Sequence, residues 1–248
     1  MTRPTAAMLV IGDEILSGRT KEANAAHLAN VLTEIGISLR EIRVVADDED
    51  AIIEAVNTLR ARVTYVFTSG GIGPTHDDIT ADCIAKAFGA PIGIRDDARA
   101  ILEAFYDAED LNEARLRMAR IPEGASLIEN PLSQAPGFIL GNVHVMAGVP
   151  AIFQVMLEGL RPRLKGGAPV LSHSFRVAIP EGDMAQMLGE IAAAHPKVSI
   201  GCYPFFRGGM GATVILRSDD GAALASAAEA IRPRFAQMTD NISETAPT

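Results

Sequence analysis

The chain has 248 residues, of which 48% are hydrophobic and 21% charged, and its formal net charge is -9. A chain of this length can bury one large core or one medium and one small, and its acidity argues against a general nucleic-acid or anionic-membrane binder. Only Cys83 and Cys202 are present, which excludes a disulfide framework and a zinc-ligand spacing.

The start of the chain carries neither a spanning segment nor a signal-peptide layout, so a cytoplasmic protein is expected. Residues 6–11 form a continuous apolar run, the pattern of a strand buried on both faces of a parallel sheet. A polar loop over 12–21 leads to a helix with Leu28, Val31, Leu32 and Ile35 at helical spacing, closed by Gly36. Residues 37–45 read as a second strand. Asp47 or Asp48 then caps a second helix whose inner face carries Ile52, Val56 and Leu59. Residues 65–68 form a third strand and 79–88 a third helix, closed by Gly89. Residues 97–120 read as one long helical region rich in Ala, Leu and Arg. Phe138, Ile139 and Leu140 pair with 143–146 across the favourable turn Gly141-Asn142, and a helix over 150–164 completes a first domain, 1–166.

Strands alternating with helices predict an α/β class: a three-layer α/β/α, doubly wound, mostly parallel sheet. Beyond a linker at 165–169, strand 174–179, helix 183–194, strands 198–203 and 211–217 and helix 222–235 follow. They predict a small βαββα domain, 170–240, on a three-stranded sheet, and residues 241–248 read as a disordered tail.

The most distinctive segment is Thr68-Ser69-Gly70-Gly71-Ile72-Gly73-Pro74-Thr75-His76-Asp77-Asp78-Ile79-Thr80. It leaves an apolar strand and opens a helix, the arrangement that presents backbone N–H groups to a phosphate. In an open parallel sheet, ligands bind outside the carboxyl ends of the strands. Strand one ends in Asp13-Glu14, strand two in Asp47-Asp48, and strand three in the Gly-rich loop with Asp77-Asp78. Like charges gathered this way cost free energy, which points to a ligand, a metal or a proton to be handled there. Commoner motifs do not fit. The P-loop Lys-Ser/Thr pair is absent, His76 stands where the dinucleotide fingerprint has its third glycine, and Ile72 stands where a nucleophile elbow needs serine.

Gly12-Asp13-Glu14-Ile15-Leu16-Ser17-Gly18, Asn24 and the segment from Ser69 to Thr80 together resemble the MoaB/Mog-like molybdopterin-binding domain, in the version of the CinA competence/damage-inducible family. The similarity continues through Asn130, Ala135-Pro136-Gly137-Phe138, Gly148-Val149-Pro150 and Ile200-Gly201-Cys202-Tyr203-Pro204. The resemblance implies a pterin- or nucleotide-binding domain followed by a KH-like domain, and a homo-oligomer. It also implies binding roles for Gly12, Asp13, Asn24, Ser69, Gly70, Gly71, Gly73, Pro74, Thr75 and Thr80. CinA proteins commonly carry a C-terminal amidase domain; this sequence stops before it, so amidase activity is not expected. Two departures alter the pocket wall. Met146-Ala147 precedes Gly148 where the family has Leu-Pro, with Ile152-Phe153 in place of a Glu-Met pair, and Ser133-Gln134 replaces a Gly-Thr pair.

Two functions follow, both with a small phosphorylated nucleotide or pterin as partner. The favoured expectation, implied by the resemblance, is a hydrolase: a metal-dependent pyrophosphatase acting on ADP-ribose- or FAD-like dinucleotides. Phosphates would rest on the N–H groups of residues 70–73, with Ser69 and Thr75 donating hydroxyls. A divalent ion (Mg2+, Mn2+ or Co2+) would bridge them to Asp13, Asp77 and Asp78, and Glu14 or Asp47 would orient the attacking water. The alternative is a non-hydrolytic protein of molybdenum cofactor biosynthesis that binds molybdopterin. RNA binding by the second domain is disfavoured, because residues 172–248 hold six Lys/Arg against eight Asp/Glu. The loop Phe205-Phe206-Arg207-Gly208-Gly209 reads instead as a hairpin turn or a subunit contact.

Overall fold

The computed structural model describes residues 3–206 and 209–245. Met1 and Thr2, residues 207 and 208 of the expected hairpin loop, and residues 246–248 of the expected tail lie outside the described residues. Between Gly167 and Ala168 the chain divides into two compact units.

The first unit is built around β1 (Thr5–Ile11). Its Ala6, Met8 and Val10 enter one core and its Ala7, Leu9 and Ile11 another, so both faces of the strand are buried. That is why an uninterrupted apolar run, and not an alternating one, stands here. There follow α1 (Asp13–Leu16), α2 (Asn24–Glu34), β2 (Ser38–Val45), α3 (Glu49–Arg60), β3 (Tyr65–Ser69), α4 (Thr80–Phe88), β4 (Ile92–Ile94) and α5 (Asp96–Phe105). The unit is completed by α6 (Glu113–Leu116), β5 (Arg120–Pro122), β6 (Ser126–Ile128), β7 (Gly137–Leu140), β8 (Val143–Met146) and α7 (Pro150–Leu160). Its sheet has the order β2-β1-β3-β8-β7-β6. The first four strands run parallel, and β7 runs against both β8 and β6. Helices α3, α4 and α5 pack on one face, and α2 and α7 on the other, which gives three layers. β4 and β5 pair separately as a two-stranded ribbon.

The long helical region expected over 97–120 is broken. α5 stops at Phe105, Tyr106 is extended, and helix resumes only at α6, where the Asn112 carboxamide accepts the Arg115 N–H at 3.0 Å. A short 3-10 turn (Arg117–Ala119) follows. Asp107, Asp110 and Asn112 lie in the break, and such side chains compete with the helix for its own backbone groups.

The second unit comprises β9 (Leu171–Val177), α8 (Glu181–Ala194), β10 (Ser199–Phe205), β11 (Gly211–Ser218), α9 (Gly221–Met238) and β12 (Ile242–Thr245). Its sheet is antiparallel throughout, in the order β10-β11-β9-β12, with both helices packed on one core. Among the described residues the expected three strands are four, and 242–245 of the expected disordered tail form β12. Ile242 packs against the core opposite Val177, and the Glu244 carboxylate accepts from Arg232 and meets His173 Nε2 at 2.7 Å. Those contacts offset the entropy that would otherwise leave the segment unordered. Among the described residues, no helix is long and apolar enough to cross a membrane.

His144 on β8 is 5% exposed and stacks on Phe67, with ring centroids 5.0 Å apart. Burial pushes its pKa from 6.5 down to about 4. Below pH 6.5 the unfolded chain takes up a proton that the folded chain refuses until about pH 4, so stability falls as pH drops through that window. The loss attributable to this side chain is ~3 kcal/mol. Urea titrations should show a weaker pH dependence for His144→Phe than for the wild type between pH 7 and 4.5; identical pH dependence would contradict this.

Candidate ligand-binding site

The adjacent strands β1, β3 and β8 converge, at their carboxyl ends, on residues without side chains. A Cβ on Gly70 would stand 2.1 Å from the Ile11 carbonyl oxygen, and one on Gly148 would stand 3.2 Å from the Gly70 Cα. Gly71 has φ 67°, and a Cβ there would lie 2.1 Å from Thr80 Oγ1. That hydroxyl donates to the Gly70 carbonyl at 3.0 Å, and the Thr80 N–H donates to the Gly71 carbonyl at 3.0 Å. The start of α4 is thus tied to the turn by a fully buried threonine. On the other side, Asn24 Nδ2 donates to Ser69 Oγ and to the Gly148 carbonyl, each at 2.8 Å. Leaving a buried group of this kind unpaired costs roughly 1–3 kcal/mol, so each tie matters to the turn.

Gly71, Ile72 and Gly73 line a cleft of about 560 Å³. Among the described residues their N–H groups meet no protein acceptor. Consecutive amides presented in a turn make an anion-binding concavity. Pro150 opens α7 along the same cleft, so the positive end of that helix adds to the field.

The acids separate into different tasks. Asp48 caps α3 by accepting the Ala51 N–H at 2.9 Å, which leaves Asp47 to the cleft. Asp47 Oδ2 accepts the Asp13 N–H at 3.0 Å. Burial raises the Asp47 pKa; the Asp13 N–H opposes the rise, and the nearby charges of Asp13, Glu14 and Asp77 add to it. Asp77 is exposed. Asp78 turns inward: its Oδ2 accepts the Thr75 N–H at 2.8 Å and also the Thr75 hydroxyl. Among the described residues, no three His, Cys, Asp or Glu side chains converge to hold a metal ion. The expected ligands Asp13, Asp77 and Asp78 are therefore not assembled as a cage.

Of the residues singled out from sequence, Gly12, Glu14, Asp47, Gly70, Gly71, Gly73, Pro74, Thr75, Asp77 and Asp78 line the cleft. Asp13, Asn24, Ser69 and Thr80 are not in its lining; the last three are buried beneath or beside the turn. Ser133, Ala147 and Ile152, the departures from the family pattern, form part of the wall. The loop bearing Ser133 hangs on buried Asn130, whose Nδ2 donates to Ser133 Oγ at 2.7 Å and to the Ala135 carbonyl at 2.9 Å. Sequence reading did not reach Thr20, Tyr106, Arg115 or Met118, which also line the cleft. Arg115 lies over the Tyr106 ring at 4.8 Å and pairs with Asp110 at 3.3 Å. The signal that exposes this segment is Asn112, a capping residue three positions before Arg115.

Gly71→Ala forces a left-handed alanine whose Cβ meets the Thr80 hydroxyl. A stability loss of about 1–3 kcal/mol is expected in urea titration, and an unchanged midpoint would contradict the close approach. Asp47 tests the electrostatics. Because its folded pKa is raised, the folded chain holds that proton to higher pH than the unfolded chain, and stability falls as pH rises through the ionisation. Asp47→Asn should be more stable than the wild type at pH 7, by a margin that shrinks as pH falls. A less stable variant at pH 7 would refute the assignment.

Residues 7–166 match the family model described as "Probable molybdopterin binding domain", and residues 169–240 match one described as "FAD synthase, middle domain". A protein of Pyrobaculum calidifontis is 36% identical over 212 residues, which cover 81% of this chain and 81% of the relative. A CinA-like protein of Desulfosudis oleivorans is 34% identical over 209 residues, 79% of this chain and 51% of the relative. Among solved structures, the protein CinA of unknown function from Thermoplasma acidophilum matches with a TM-score of 0.62 and 38% identity, over 65% of this chain and 98% of that one. The chain belongs to the CinA family, and its first unit is a MoaB/Mog-like molybdopterin-binding domain.

Proposed function

We propose that the first unit binds a small phosphorylated pterin of the molybdopterin class and does not hydrolyse it. The observation that carries this reading is the row of N–H groups at Gly71, Ile72 and Gly73 that meet no acceptor among the described residues. Strand order supports it further. The strands lie in the order β2-β1-β3-β8, so carboxylates of Glu14 and Asp47 come from one side of the cleft and N–H donors from the other. A ligand with a phosphate at one end and an N–H-rich heterocycle at the other matches that polarity. Ile72, Met118, Ala147 and Ile152 offer apolar surface to the ring.

A metal-dependent pyrophosphatase acting on ADP-ribose- or FAD-like dinucleotides is the second reading. The gathering of Asp13, Glu14 and Asp77 around Asp47 favours it, since phosphate oxygens of a bound dinucleotide could complete a cation site that the carboxylates leave open. For the second unit, the order βαββα that precedes β12 supports a KH-like reading without a nucleic-acid role, because acids outnumber cations there.

Calorimetry with 6-hydroxymethylpterin phosphate should show binding in the micromolar range or tighter, insensitive to EDTA. ADP-ribose and FAD, each with Mg2+, Mn2+ or Co2+, should remain intact. Turnover that Asp77→Ala abolishes would overturn the binding-only reading in favour of the second.

A further inference from the structure

Beside the cleft lies a second, smaller chamber of about 50 Å³. Its lining includes Ile15, Asn24 and Ser69, and it shares Glu14, Gly148 and Pro150 with the cleft. Asn24 is 4% exposed, and the orientation of its carboxamide follows from its partners. The Gly148 carbonyl can only accept, so the amide nitrogen must face it. The amide oxygen then faces elsewhere, and Oδ1 is buried with no donor among the described residues. Nearby groups do not fill the need. Glu22 accepts the N–H groups of Asn24 and Ala25, and Lys21, the one cation in the lining, is exposed and makes no hydrogen bond to Asn24. Glu14 brings a further acceptor.

We infer that this chamber reads the heterocycle of the bound pterin, with Asn24 Oδ1 accepting an N–H from an exocyclic amino group. The inference rests on the pterin-binding reading above and names the part of the ring that is recognised. Buried acceptors are satisfied in stable structures, so an unsatisfied one beside a ligand cleft marks a place for a donor. A space of this size admits an amino group. Asn24 Oδ1 and the Glu14 carboxylate are both acceptors, and together they disfavour an oxo group of the same size, because two acceptors would then face each other. Asn24 thus has two tasks, one for each end of its amide: the nitrogen ties Ser69 to Gly148 and the oxygen selects the ring.

The test is calorimetry on the full chain with two probes, 6-hydroxymethylpterin phosphate and 6-hydroxymethyllumazine phosphate. The second carries oxygen where the first carries the 2-amino group. The amino compound is expected to bind at least about ten-fold more tightly. Equal affinities, which a chamber filled only by water would produce, overturn the Asn24 assignment and leave the phosphate cradle standing. Failure of both probes to bind overturns both readings. In Asn24→Ala, checked for folding by circular dichroism, the preference should disappear; a preference kept at full size would place the discrimination elsewhere and overturn the inference.

Discussion

Three parallel strands end within contact distance of one another, and a side chain on Gly70 at that meeting point would collide with backbone. Gly70 passes the Ile11 carbonyl where a Cβ would stand 2.1 Å from its oxygen, and a Cβ on Gly148 would stand a tight 3.2 Å from the Gly70 Cα. The geometry of the site depends on this approach. It turns the chain sharply after β3, and Thr80 then ties the start of α4 back to the Gly70 and Gly71 carbonyls. Those carbonyls face into the protein, and the N–H groups of the residues that follow are left to the cleft. Asn24 secures the opposite side by linking Ser69 to Gly148. Two buried polar residues on two helices therefore hold a loop that has no apolar side chain of its own at the crossing.

The electrostatics have a different logic. Glu14, Asp47 and Asp77 meet at a cleft whose one Lys or Arg among the lining residues, Arg115, is already paired with Asp110. Burial and neighbouring carboxylates raise the Asp47 pKa, a cost that contributes nothing to folding. Perturbed acids in a cleft mark sites kept for a ligand at some expense of stability. The N–H row and the carboxylates are complementary opposites, and the arrangement makes most sense with a ligand that is anionic at one end and rich in donors at the other.

Much of this is legible in the amino-acid sequence. The run Ala6, Ala7, Met8, Leu9, Val10 and Ile11 marked a strand with two buried faces, and the glycines after Phe67 marked the turn, because spacing and composition report directly on burial and on backbone freedom. The acids follow the ends of β1, β2 and β3, as their positions in the sequence indicate. Their side-chain directions were not legible: nothing in the order of residues shows that Asp78 folds back onto Thr75 while Asp77 stays in solvent. The break after Phe105 is masked because helix-favouring residues flank it on both sides, and Asp107, Asp110 and Asn112 are its local signs. β12 was hidden for another reason. Its order comes from partners far away in the chain, Val177 across the sheet and Arg232 on α9, and a polar C-terminal stretch gives no local sign of them.

The central claim is that the amides of residues 71–73 receive a phosphate. Two-dimensional amide NMR during titration with 6-hydroxymethylpterin phosphate addresses it most directly. The account predicts that the Gly71, Ile72 and Gly73 resonances move downfield together and that the unphosphorylated pterin leaves them in place. Saturable binding with those three resonances unmoved would contradict it.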